Sequence, residues 1–244
     1  MSTILVIRND GDFSSKLSSA GLKVIDLELI ETKPLDDQSA LRKKLANLSE
    51  YDGLFFTSPV AAEIFLRERN GSDGFGGSVY ALGRRAQQML DSAGLNVVLA
   101  RDANTAEEML NELGSAKFTG KRFLFIRGER SLRTIPDMLA DTAVVNEVAV
   151  YKTEPTMVDR ETIDKLRSNL SNGEIEWVCF FSPSGVERFA KLFGDEAANV
   201  KAAAIGKTTA AALAEAGYDV QFISPRSSAE DFARSLIEHI RTIE

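Results

Sequence analysis

Short runs of β-branched and aromatic residues alternate along the chain with longer stretches whose apolar positions recur every three or four residues. That alternation predicts a parallel sheet flanked by helices, an α/β fold. Strands are expected over 4–8, 23–30, 53–56, 79–82, 96–99, 122–126, 143–151, 176–181, 202–205 and 219–223, with helices filling the gaps. Ala106, Met109, Leu110 and Leu113 share one helical face, as do Phe232, Leu236, Ile237 and Ile240, so each helix can cover a sheet. Gly94 and Gly217 stand where a helix stops before the next strand, a place that often needs positive φ. The glycine-rich segment 70–78 reads as a surface loop, since it lacks the spacing and strand-to-helix context of a dinucleotide fingerprint.

The chain also says nearly the same thing twice. FFTSPVAAEIF from Phe55 returns as FSPSGVERF from Phe181, and ALGRRAQQMLDSAGLNVVLA from Ala81 returns as AIGKTTAAALAEAGYDVQFIS from Ala204. A period this long exceeds those of solenoids and propellers, so it marks two copies of a small domain. Two such lobes leave a cleft, where small-molecule sites tend to lie. Leu5-Val6-Ile7-Arg8 resembles Leu124-Phe125-Ile126-Arg127, and two long strands each run into a threonine and a proline, Thr32 with Pro34 and Thr153 with Pro155. Proline cannot donate to a ladder, so both strands are expected to leave one lobe there. One lobe would then take 1–33 and 154–244 and the other 36–150, with connectors near 30–36 and 150–156.

Composition narrows the function without naming it. A chain of 244 residues with 44% hydrophobic and 27% charged residues can bury a sizeable core, as one large or two ordinary domains. Its net charge of −7 argues against a general nucleic-acid or anionic-membrane surface. No stretch approaches the roughly 20 apolar residues that span a bilayer, and the opening MSTILVIRND has no basic leader, which makes the cytoplasm the expected location. Cys179, the one cysteine, sits in an apolar run and is expected in the core; His239, the one histidine, is expected at a helix end.

In open α/β sheets ligands bind beyond the carboxyl ends of the strands. This rule brings forward Arg8, Thr57 and Ser58, Gly83, Arg127, Ser182 and Ser184, and Gly206 with Lys207, Thr208 and Thr209. Several of these open helices, where unpaired N–H groups and the positive dipole end suit carboxylates, although a serine there also serves simply as a cap. Arg127 could clamp a carboxylate or merely be solvated. The GKT in Gly206-Lys207-Thr208 lacks the earlier glycine of a nucleotide-binding loop, since position 201 is Lys201, so no ATP site is expected.

Taken together, FFTSPVAAEIF, the RGER of 127–130, NEVAVYKTEP, FFSPSGVERF and AIGKTTAAALAEAG resemble the uroporphyrinogen-III synthase family over almost the whole chain. The resemblance implies two flavodoxin-like lobes on a two-stranded connector and a lyase that needs no cofactor or metal. It implies a reaction in which hydroxymethylbilane loses water, inverts its D ring and closes to uroporphyrinogen III. The chain shows no evident third exposed apolar face, so a monomer is expected, and the resemblance leaves room for transient contact with the upstream hydroxymethylbilane synthase. The family pattern puts a tyrosine at Tyr151, facing the cleft. Phenols keep their proton at neutral pH and can donate to a departing hydroxyl, though a tyrosine here could equally anchor the connector. One departure stands out: after Gly83 the family often shows a threonine, but the first copy reads Gly83-Arg84-Arg85-Ala86 whereas the second keeps Thr208-Thr209, so a hydroxyl contact in the middle lobe is in doubt. The alternative in another class is a two-lobed module that closes on a small anion without chemistry.

Overall fold

The computed structural model describes residues 2–8, 11–69, 74–100 and 103–243. The chain runs through β1 (Thr3–Ile7), α1 (Gly11–Ser19), β2 (Lys23–Asp26), β3 (Ile30–Pro34), α2 (Ser39–Leu45), β4 (Gly53–Phe56), α3 (Pro59–Glu68), β5 (Ser78–Ala81), α4 (Arg84–Ser92), β6 (Asn96–Val98) and α5 (Ala106–Leu113). It continues through β7 (Arg122–Gly128), α6 (Thr134–Met138), β8 (Val144–Pro155), α7 (Arg160–Ser171), β9 (Trp177–Phe180), α8 (Pro183–Phe193), β10 (Lys201–Ala204), α9 (Lys207–Glu215), β11 (Val220–Ile223) and α10 (Ala229–Ile243). The expected strand over 23–30 is two strands: Leu27 N donates the last ladder bond to Val6 O, and the chain leaves the sheet before Ile30. The apolar pattern runs on through buried Leu27 and Leu29, so hydropathy alone does not mark the break. β8 in turn runs past Tyr151 to Pro155, which puts Tyr151 inside the strand rather than at its end.

Two compact units divide the chain, residues 1–31 with 154–244 and residues 32–153. The first unit carries a five-stranded sheet in the order β2-β1-β9-β10-β11, with every neighbouring pair parallel. Parallel strands covered on both faces must be apolar on both, and these are. Leu5, Ile7, Val178 and Phe180 face a core shared with Leu166, Leu170, Phe189 and Leu213. Ile4, Val6, Trp177 and Cys179 face the opposite core, with Phe13, Leu17, Phe232 and Leu236.

The second unit contains a six-stranded sheet in the order β3-β8-β7-β4-β5-β6, parallel from β8 to β6. Leu54, Phe56, Leu124, Ile126, Val148 and Val150 pack on one face against Leu41, Phe65 and Leu90. Phe55, Tyr80, Phe123 and Phe125 pack on the other against Phe118, Met109, Leu110 and Ile135. The two units are thus α/β layers of the same kind, each with a core on either side of its sheet. Gly94 and Gly217 end their helices with φ of 76° and 85°, a conformation that glycine adopts without penalty. Cys179 is wholly buried, which pushes its thiol pKa far up and leaves it unsuited to nucleophilic chemistry. His239 lies in α10 with its ring near those of Trp177 and Phe222. Of the segment 70–78, positions 70–73 lie outside the described residues; Phe75 packs inward against the second unit's core.

Candidate active site

In each sheet the direction of chain progression reverses at one pair of neighbouring strands, β1 and β9 in the first unit and β7 and β4 in the second. Loops leaving the carboxyl ends of such a pair diverge to opposite faces and open a crevice. The chain fills both places with polar residues.

In the first unit β1 leads to Arg8, which is exposed, with its guanidinium carbon 5.1 Å from the centre of the Phe181 ring. β9 leads through Phe181 to Ser182, the N-cap of α8. The Ser182 hydroxyl accepts from Gly185 N at 3.2 Å and lies 3.3 Å from the Ser184 hydroxyl, and Pro183 sits at the first helical position, where a missing N–H costs nothing. β10 ends before Gly206, the N-cap of α9, which has no side chain to cap the helix. Gly206 thus offers no side chain to the first turn of α9, and a helix entry of this kind suits an anion. Lys207 and Thr208 are exposed at this entry, whereas Thr209 turns inward and is 3% exposed. Six of the expected residues, Arg8, Ser182, Ser184, Gly206, Lys207 and Thr208, therefore share one edge of the sheet, and Thr209 belongs to the helix's packed face.

In the second unit β4 leads through Thr57 to Ser58, whose hydroxyl caps α3 by accepting from Val60 N at 3.2 Å. β5 leads to Gly83, the N-cap of α4, with φ +80° and no side-chain cap; Arg84 and Arg85 follow, both exposed. Arg127, near the end of β7, is committed within the unit. Its Nε donates to Glu147 at 2.8 Å and its Nη1 to the carbonyls of Gly128 and Glu129, each at 2.9 Å. Glu147 also pairs with Arg133 at 3.2 Å. The guanidinium thus organises the turn beyond β7.

Tyr151 lies beside that turn. Its register partner is Gly128, after a shift that follows the Arg127–Ala149 pair and leaves Val150 unopposed on β7. The Tyr151 carbonyl accepts from Glu129 N at 2.9 Å. The strand-end rule also brings Gly128 into view, but residue-type reasoning missed two neighbours: Glu147 and Gln38, which is 4% exposed and donates to the Val150 carbonyl at 2.8 Å. Glu147 had a signal, a lone carboxylate in an apolar strand near an arginine. Gln38 had none, because it stands in a polar stretch that looks like any loop.

Among the described residues no group of three or more His, Cys, Asp or Glu could hold a metal ion, and no helix is long and apolar enough to cross a membrane. A family model described as uroporphyrinogen-III synthase HemD matches residues 11–234. A uroporphyrinogen-III synthase of Chlorobaculum parvum is 28% identical over 255 aligned positions, spanning 99% of this chain and 100% of that protein. Among solved structures, a variant uroporphyrinogen III synthase of Thermus thermophilus matches with a TM-score of 0.70 at 19% identity, over 99% of this chain and 100% of the other. The uroporphyrinogen-III synthetase of Helicobacter pylori matches with a TM-score of 0.63 at 18% identity, over 98% and 100%. At such identities the two structures speak to the α/β architecture, while the sequence model, matched across most of the length, speaks to descent: the chain belongs to the uroporphyrinogen-III synthase family.

Proposed function

We propose that this chain closes hydroxymethylbilane to uroporphyrinogen III in tetrapyrrole biosynthesis, as a cyclising lyase that uses no cofactor. The observation that carries the reading is the family match over residues 11–234. The strand ends give it chemistry. The substrate is a flexible chain bearing acetate and propionate groups, and each unit opens a helix at a glycine that supplies no side-chain cap, Gly206 or Gly83, together with basic side chains. Anions are stabilised at such helix ends. Arg8, Ser182, Ser184, Gly206, Lys207 and Thr208 would serve carboxylates from the first unit, with Thr57, Ser58 and Gly83 from the second. In the second unit Arg84 and Arg85 stand where the first has Lys207 and Thr208, so its contact would be ionic. We take Arg127 to shape the Tyr151 turn and Thr209, buried at the start of α9, to seat that helix, each acting on substrate through its neighbours. The two units would be duplicated flavodoxin-like lobes whose sequence repeat is offset from the spatial division, joined through β3 and β8, and working as a cytoplasmic monomer.

Little acid–base machinery is needed. The pyrrole nitrogen supplies the electron pair that expels the terminal hydroxyl, and the phenol of Tyr151 passes its proton to that oxygen, which leaves as water; the proton lost at the last step returns to the phenolate. The carbocationic end is then attacked by the D-ring carbon that already carries the bridge, and breaking and remaking that bridge inverts the ring. A final proton loss restores aromaticity. Holding the two ends of the bilane in register supplies most of the selectivity, because the unassisted reaction also closes a ring but without inversion.

The test feeds the protein with bilane made in place and separates the isomers. Type III product without added metal or nucleotide is expected; type I alone at high protein concentration would sink the proposal and favour an anion-binding module. Replacing Tyr151 by Phe should lower kcat by about tenfold or more, less than the roughly hundredfold at which full acid assistance begins, because the bilane ionises readily. Unchanged turnover would remove the phenol from the mechanism while leaving the overall reaction standing.

A further inference from the structure

Tyr151 does not face where a regular strand would aim it. Residues alternate between the two faces along β8: Val145 packs toward Phe123 and Phe125, while Val148 and Val150 pack toward Leu54 and Ile126. Strict alternation would send Tyr151 to the side of Val145. Instead its ring packs on the same core as Val148 and Val150. The cause is the register shift. β7 moves from Arg127 to Gly128 while β8 moves from Ala149 to Tyr151, so Val150 is an extra residue. Bulges of this kind are uncommon in parallel pairs, and where they occur they re-aim a side chain.

An extra residue leaves its carbonyl without a ladder partner, and a buried carbonyl must find one. The Val150 carbonyl accepts from Leu35 N at 3.0 Å and from the Gln38 side-chain nitrogen at 2.8 Å. The same nitrogen donates to the Leu35 carbonyl at 2.9 Å, so one buried amide ties the bulge to the segment after β3. On the other side the phenol rests on Gly128. A Cβ built there would lie 2.5 Å from two ring carbons of Tyr151 and 2.9 Å from its hydroxyl oxygen. Gly128 is not among the glycines with positive φ, so the need for glycine is one of space rather than of backbone conformation. Its own carbonyl and that of Glu129 are held by Arg127, which keeps the floor from drifting.

We infer that Gly128 and Gln38 are positioning residues for the Tyr151 phenol, the first giving the ring its seat and the second fixing the bulge that turns it there. This rests on the reading of Tyr151 given under Proposed function. Neither residue touches substrate in this scheme, and both act through the placement of one oxygen.

The experiment combines a mutant cycle with fluorine NMR. Gly128→Ala forces the ring off its seat and should lower kcat by about tenfold or more with KM changed less than about twofold, since small misplacements of a reacting group are costly. In a Tyr151→Phe background the same substitution should cost less than about twofold, because the oxygen it displaces is already gone. Gln38→Met, of similar size without the donors, should act in the same direction and more weakly, and it carries the test should Gly128→Ala fail to fold. The protein has 4 tyrosines, so with 3-fluorotyrosine incorporated, the Tyr151 resonance is identified by its loss in Tyr151→Phe. It should move in both variants while the others stay. Equal fold-losses in the two backgrounds, a folded Gly128→Ala with normal kcat, or an unmoved resonance would each overturn the inference. Full turnover by Tyr151→Phe alone would instead remove the phenol's chemical role, and the fluorine shift would still report whether Gly128 and Gln38 seat the ring.

Discussion

At the ends of β5 and β10 the two units each enter a helix through a glycine, Gly83 before α4 and Gly206 before α9, and in the sequence the two positions align. They are glycine for different reasons. Gly83 has φ +80° and ψ 135°, and a Cβ placed there would meet nothing within 4 Å. Gly206 has φ −178°, extended backbone open to any residue, but a Cβ there would lie 2.5 Å from the Ser227 hydroxyl oxygen. The first turn is demanded by conformation and stands open above; the second is conformationally ordinary and is roofed by the loop after β11. The lesson is that an aligned glycine reports a shared entry to a helix and not a shared constraint. For function the difference matters, since the open turn is followed by two exposed arginines and the roofed one by Lys207 and Thr208.

The largest effect that separates the two turns is on stability. Gly83→Ala places a Cβ in a backbone region nearly reserved for glycine and should cost about 1–3 kcal/mol. Gly206→Ala meets only the end of an exposed serine side chain, which can rotate, and should cost less than about 1 kcal/mol. Urea unfolding of both variants tests the contrast, and equal midpoint shifts would show that the roof over Gly206 is rigid. If it is, adding Ser227→Ala should restore the loss.

This comparison also shows what the sequence could reveal. Strands such as 53–56 were legible because buried parallel strands are apolar at every position, and nothing else in the chain is. The serine caps were legible because Ser-Pro before an apolar helix has few other uses. What escaped notice depends on register. The bulge at Val150 leaves no trace in composition, since Val148, Val150 and Tyr151 read as an ordinary strand. The close approach of Gly128 to the Tyr151 ring is a relation between residues on two strands, and no single position records it. The split between β2 and β3 escaped for the opposite reason: buried Leu27 and Leu29 continue the apolar pattern where the ladder has ended. Arg127 was visible as a strand-end cation, but its partner Glu147 lies on the neighbouring strand and turns a possible ligand clamp into an internal ion pair.

A second, smaller test asks whether the paired helix entries that align are also equivalent in energy. Ser58 caps α3 through Val60 N and Ser182 caps α8 through Gly185 N, each at 3.2 Å. Ser58→Ala and Ser182→Ala should therefore each cost about 1 kcal/mol of stability, the usual worth of a cap. Their kinetic effects should differ. Ser182 stands beside a second hydroxyl, Ser184, and both can turn toward a carboxylate, so Ser182→Ala should raise KM by about threefold, less than one full hydrogen bond to a charged group. Ser58 has no such neighbour within its cap, so Ser58→Ala should raise KM by less, about 1.5-fold. A KM rise of equal size in both variants would mean that the two caps contact substrate alike.

The smallest expected effect lies at the opposite, amino ends of the strands, where the units again solve one problem in two ways. In the second unit the Asp52 carboxylate accepts from the backbone N of Arg122 at 2.9 Å. In the first, Glu176 accepts from the Lys201 ammonium at 2.7 Å, and this bond, more than any other influence, holds the Glu176 pKa below its ordinary value of 4.5. A carboxylate whose pKa is lowered by folding binds fewer protons in the native than in the unfolded state. Its contribution is present in full above the unfolded pKa and is lost as pH falls through the folded one. The pair is about 40% exposed on each side, so solvent screens it and its worth should stay under about 1 kcal/mol. Glu176→Gln should thus be slightly less stable than the parent at pH 7, with the gap closing as pH is lowered below about 4.5, the ordinary carboxyl range. A gap that persists undiminished into acid would show that Glu176 acts by shape and hydrogen bonding rather than by charge, which would make the amino ends of the two sheets alike after all.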